Sequence, residues 1–97
     1  MRYDIILAPE ALEDLALLRA GHRTAVKAAL EVHLRHQPDK PSRSRIKRLR
    51  GLSQPQYRLR VGDFRVFYDI ADGAAEVLAI VQKSEASAWP SQFGKLQ

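Results

Sequence analysis

The sequence contains no cysteine, which excludes a disulfide framework and thiolate zinc sites together and fits a reducing compartment. Acids are scarce: eleven Asp and Glu stand against sixteen Lys and Arg, for a formal net charge of +5. No apolar run approaches the length that spans a bilayer, and the opening Met1 to Leu7 lacks the long apolar core of a signal peptide. A cytoplasmic protein with no membrane partner is therefore expected. Internal repeats, low-complexity tracts and linkers are also missing. With 45% hydrophobic and 28% charged residues, the composition is that of a globular chain rather than a disordered one, and a single domain over residues 1–97 is expected.

The positive charge is concentrated. Residues 40–65 hold nine of the sixteen basic residues and a single acid, Asp63. Such a block repels itself and attracts polyanions, either nucleic acid or an acidic protein segment. Within it, Tyr57 to Val61 alternate so that Tyr57, Leu59 and Val61 face one way and Arg58 and Arg60 the other. Gly62-Asp63 reads as the turn of a hairpin. Beyond it Phe64, Val66, Tyr68 and Ile70 alternate with Arg65, Phe67 and Asp69. If Arg65 shares a face with Arg58 and Arg60, three guanidinium groups converge in an arrangement suited to phosphate.

Around this hairpin the periodicity predicts a first strand at Tyr3 to Leu7 and a helix opened by Pro9, with Leu12, Leu15 and Leu18 on its apolar side. Gly21 reads as punctuation. A second helix is expected from about His22 to His36, carrying Val26, Ala29, Leu30, His33 and Leu34 on one side. The conformation of Arg43 to Gly51 stays open. Ala75 to Gln82, apolar on both faces, reads as a central strand, and a short helix is expected between Ser84 and Phe93. The order strand, helix, helix, strand, strand, strand describes an α+β domain: an N-terminal strand and helical hairpin packed on a mainly antiparallel four-stranded sheet whose other face is open.

Leu49-Arg50-Gly51, followed by Tyr57-Arg58-Leu59-Arg60-Val61-Gly62-Asp63-Phe64-Arg65-Val66-Phe67-Tyr68, resembles the "L-R-G … Y-R-L-R-x-G-x-Y-R-V-x-Y" signature of the RelE/ParE superfamily of toxins from bacterial type II toxin–antitoxin systems. Val77 to Val81 is similar to that family's final strand. The resemblance implies a RelE-like fold and a cognate antitoxin, and the chain's own positive charge leads to the expectation that this antitoxin is acidic and partly disordered when free. Operator DNA would be met only indirectly, through that antitoxin. It also implies one of two activities: cleavage of messenger RNA on the ribosome, as in RelE-like members, or inhibition of DNA gyrase by protein binding, as in ParE-like members. Fold alone does not choose between them.

For the nuclease, the resemblance implies that Arg65, Arg58 and Arg60 form the catalytic set, with Arg65 as a phosphate clamp, and needs no metal or other cofactor. Arginine is always protonated and so a poor general base. Past the final strand, where RelE nucleases carry an arginine and a tyrosine, this chain has Lys83 and Trp89. Lys83 joins the catalytic set as an auxiliary member, replacing the arginine's charge and standing as a candidate base beside several arginines. Trp89 offers a stacking surface for a base, against the plainer reading of a packed terminal-helix residue. Lys47, Arg48 and Arg50 complete the expected RNA-binding set. His33 and His36, at helical spacing without a third ligand, are not expected to hold a metal, and Tyr57 and Tyr68 are expected in the core.

Overall fold

The computed structural model describes residues 1–96. Strand β1 (Asp4–Leu7) leads into α1 (Pro9–Leu17) and α2 (Ala20–Leu34), then β2 (Ile46–Arg48), β3 (Leu52–Gln54), β4 (Tyr57–Val61), β5 (Phe64–Ala71) and β6 (Ala74–Gln82). A 3₁₀ turn (Lys83–Glu85), α3 (Trp89–Phe93) and β7 (Lys95–Leu96) follow. Five strands form one sheet in the order β1-β6-β5-β4-β2, while β3 and β7 pair separately. Within the large sheet β1 runs parallel to β6 and every other pair is antiparallel.

The expected α+β fold is present, with one strand more in its main sheet than the periodicity predicts. That strand is β2, a three-residue piece of the basic segment. Ile46 anchors it, being buried opposite Leu59.

Pro9 begins α1, where its missing N–H costs nothing. Gly21 does not break the helices: it lies in the first turn of α2, and the break falls at Leu18 and Arg19, both extended. Arg23 stabilises that corner by donating to the carbonyls of Leu15 and Leu18 near the end of α1, at 3.3 and 2.8 Å. The helices bury Ala11, Leu15, Val26, Leu30 and Leu34 against Leu59, Val66, Tyr68, Val77 and Ile80 of the sheet. Tyr57 stacks on Tyr68, and the Tyr68 hydroxyl donates to the Pro38 carbonyl at 2.6 Å. Burial pushes that phenol well above the usual tyrosine range.

Turn chemistry sets the strand pairing. Gly62 has φ +55°, as the first central position of a II′ hairpin requires, and Asp72 and Gly73 both have positive φ, as a I′ turn requires. In β6 the register slips, with Phe67 opposite Ala79 but Tyr68 opposite Val77, leaving Leu78 as a bulge. Beside it the Ile80 amide donates to the Asp14 carboxylate at 2.9 Å, because β1 has already left this edge of β6.

The second face of the sheet is not open, as the sequence pattern suggests, but closed at its centre. There Phe67, Ala79 and Ala86 form a small second core with Leu49, Val81 and Trp89. The Trp89 ring stacks on Phe67, with centroids 4.8 Å apart and planes 11° apart. Asp69 ties down the neighbouring loop, accepting from the Gln54 side chain and the Gln56 amide, both at 2.7 Å. No helix among the described residues is long and apolar enough to cross a membrane.

Candidate nucleic-acid interface

The β4–β5 register places Arg60 directly opposite Arg65, and Arg58 opposite Phe67. The β2–β4 register places Lys47 opposite Arg58. Residues directly opposite in an antiparallel pair share a face, so Lys47, Arg58, Arg60 and Arg65 stand together on the second face of the sheet, beside the Phe67 and Trp89 pack. Arg45 joins them: its carbonyl accepts from the Arg60 amide at 2.8 Å, and its guanidinium makes a longer contact to the Arg60 carbonyl at 3.5 Å. The result is a groove of about 470 Å³ lined by seven arginines and one lysine, together with Pro41, Ser42, Ser44 and Ile46. Among the described residues no acid and no aromatic side chain lines it.

Among the described residues Lys47, Arg58 and Arg60 have no side-chain hydrogen bond, and the ion pair present is Glu31 of α2 with Arg35, the residue just past that helix. Like charges placed opposite each other on strands cost stability, so this grid is electrostatically unsatisfied and favours an anion. Arg65 registers the effect. Burial, followed by repulsion from Arg58 and Arg60, holds its pKa below the usual guanidinium value. The group stays charged, because the guanidinium is basic far beyond neutrality.

Arg65 is not the freely projecting clamp that alternation suggests. It is 8% exposed, and its Nη1 donates to the carbonyls of Gly62 and Phe64 at 2.8 and 2.9 Å. These bonds fasten one edge of the guanidinium to the hairpin turn. Nε and Nη2 have no partner among the described residues, yet neither is a buried unsatisfied group, so both retain access to the groove. Arg65 is thus both a brace for the turn and a preoriented donor.

The other sequence candidates scatter. Arg50 is exposed at the groove margin. Arg48 touches the groove, but its position opposite Tyr57 turns its guanidinium away: it lies 5.1 Å from the Tyr57 ring centroid and donates to the Gln56 carbonyl at 2.8 Å. Trp89 is half-buried against Phe67 rather than offered to a base. Lys83 is exposed, its amide bonded to the Asp63 carbonyl at 2.7 Å, and it lines a different cavity of about 570 Å³ with His22, Asp63 and Phe64. The structure therefore does not bring Lys83 into the arginine groove. Sequence reasoning passed over Arg43 and Arg45 as site residues. Their charge was visible in the basic block, but their position depends on the 41–46 loop folding beside β4, where Ser42 Oγ accepts from the amides of Arg45 and Ile46 at 3.1 and 3.0 Å.

The family model described as the ParE toxin of type II toxin–antitoxin systems matches residues 5–86. The chain belongs to that family, within the RelE/ParE superfamily that its hairpin signature resembles. Its fold is similar to that of an archaeal RelE–RelB complex from Pyrococcus horikoshii, with TM-score 0.69 and 23% identity over 86% of this chain and 97% of the other. It is also similar to the RelB–RelE antitoxin–toxin complex of Methanococcus jannaschii, with TM-score 0.64 and 16% identity over 87% and 96%. A third similar structure is the toxin–antitoxin complex RelBE2 of Mycobacterium tuberculosis, with TM-score 0.62 and 24% identity over 84% and 99%. No curated protein sequence matches the chain.

Proposed function

We propose that this toxin cleaves messenger RNA on the ribosome and is held inactive by a cognate antitoxin. The observation that carries the reading is the unpaired cation grid of Lys47, Arg58, Arg60 and Arg65 on one sheet face. A sequence that places like charges opposite one another at a cost in stability breaks a local rule, and such breaks are expected at functional sites. RNA cleavage by attack of the 2′-hydroxyl requires stabilisation of charge building on the phosphorus oxygens, which fixed guanidinium donors supply. In this reading Arg65 clamps the phosphate through its free edge, and Arg58 and Arg60 neutralise the developing charge. A groove without aromatic or acidic side chains reads phosphate rather than bases, so the choice of codon falls to the ribosome.

The fold neighbours are toxin–antitoxin complexes, which supports an antitoxin partner here. An acidic chain that orders on binding would cover the groove and shield its arginines from phosphate, with an affinity that weakens as salt rises. A second reading, inhibition of DNA gyrase by protein contact, is supported by the ParE family match and by the C-terminal segment, where Phe93 and Leu96 are 60% and 82% exposed. Primer-extension mapping of cellular mRNA after a short pulse of expression separates the two. New 5′ ends in phase with codons are expected. Growth arrest with intact mRNA and an induced DNA-damage response would overturn the nuclease reading in favour of the second.

A further inference from the structure

Transesterification of RNA needs a proton delivered to the departing 5′-oxygen, because an alkoxide is a poor leaving group. Seven of the eight cations lining the groove are arginines, and a guanidinium does not give up its proton at any physiological pH. Among the described residues no histidine, tyrosine, aspartate or glutamate lines the groove. The two serines there, Ser42 and Ser44, are not titratable in this range, and Ser42 Oγ is occupied by the Arg45 and Ile46 amides. Among the described residues that line the groove, Lys47 is the one whose side chain can give a proton and recover it.

Its position suits that task. Lys47 is paired with Arg58, and the next pair along the same face is Arg60 with Arg65. Two residues along a strand span about 7 Å and neighbouring strands lie about 4.8 Å apart, so the Lys47 backbone stands roughly 8 Å from that of Arg60, one strand over, and roughly 12 Å from that of Arg65, two strands over, a gap that the lysine and arginine stems close by converging. A phosphate gripped between Arg60 and Arg65 would therefore lie within reach of the Lys47 ammonium. Burial of Ile46 against Leu59 fixes the strand that carries Lys47, while the lysine side chain is exposed and makes no hydrogen bond or ion pair among the described residues.

We infer that Lys47 is the general acid of the cleavage, a role that rests on the nuclease reading above. The 2′-oxygen attacks phosphorus and its proton passes to solvent water. The bond from phosphorus to the 5′-oxygen breaks, leaving a 2′,3′-cyclic phosphate. The 5′-oxygen takes a proton from the Lys47 ammonium, and the neutral amine is reprotonated by water. No net proton, electron or cofactor is consumed.

The test uses the full-length toxin with programmed ribosomes and mRNA carrying either the natural 5′-oxygen or a bridging 5′-sulfur at the cleaved position. Sulfur departs as a thiolate and needs no proton. Lys47→Arg keeps the charge, so binding to the oxygen mRNA should stay within about two-fold of wild type, whereas cleavage should fall about 10²-fold or more. On the sulfur mRNA the two proteins should cleave at comparable rates. Full cleavage of the oxygen mRNA by Lys47→Arg, or a defect that sulfur does not rescue, would overturn the assignment while leaving the nuclease reading intact. Absence of cleavage by the wild-type protein would overturn both.

Discussion

Replacing Arg65 with alanine should damage the fold as well as the groove. The guanidinium is 8% exposed and satisfies the Gly62 and Phe64 carbonyls through Nη1. Hydrogen bonds from a charged donor contribute about 1.5–3 kcal/mol each, but three things reduce their sum. Gly62 is exposed at the tip of the turn, so its carbonyl can be rehydrated. Removing the charge relieves the burial of a cation and its repulsion with Arg58 and Arg60, which in that order depress the Arg65 pKa. Alanine also frees a long side chain from an ordered conformation. A net loss of about 2 kcal/mol follows, which for a chain of 97 residues corresponds to a fall of roughly 8–16 °C in Tm. Thermal unfolding by circular dichroism measures it, with Arg58→Ala and Arg60→Ala as references. Those two guanidiniums have no acceptor among the described residues, so their removal should leave stability within about 0.5 kcal/mol of wild type or raise it. An unchanged Tm for Arg65→Ala would refute the bracing role. A fall shared equally by all three variants would show that the groove as a whole, rather than the turn, is being read. Toxicity of Arg65→Ala must therefore be assayed at a temperature where the variant is folded.

Asp14→Ala should cost about 1–3 kcal/mol by leaving the Ile80 amide without its acceptor; chemical denaturation with an unchanged midpoint would dismiss the contact. Gly94→Ala should loosen the C-terminal segment, because an added Cβ would meet the Pro90 and Gln54 carbonyl oxygens at 2.4 and 3.0 Å, backbone atoms that cannot swing aside. Faster amide hydrogen exchange in β3 and α3 is the expected readout, and wild-type protection there would contradict it. His33 has a pKa held below its ordinary 6.5 by burial and then by the Arg45 charge, and the cavity beside it also carries His36 and Lys40. The unfolded chain therefore takes up its proton first as pH falls, so stability should drop through the range just below 6.5, and His33→Gln should flatten that slope. A slope identical in the variant would place the titration elsewhere.

The sequence by itself determined the hairpin, its turn at Gly62-Asp63 and the facing of its side chains, because strand alternation and turn conformation are local properties. Arg60 opposite Arg65, and Tyr57 beside Tyr68 in the core, follow from counting outward from that turn. The family was legible for the same reason, since its signature lies in one continuous segment. The tertiary structure decided what burial and distant pairing control. Whether residues 43–51 contain a strand depended on Ile46 finding Leu59, which places Lys47 beside Arg58 and turns Arg48 towards Tyr57. The fate of Trp89 depended on Phe67, more than twenty residues earlier, offering a ring to stack on. Lys83 parted from the arginines because β6 ends at Gln82, where the chain turns over the hairpin tip. Charge and periodicity are written along the chain, but which cations share a groove is set by contacts between residues far apart in sequence, and no local pattern encodes those.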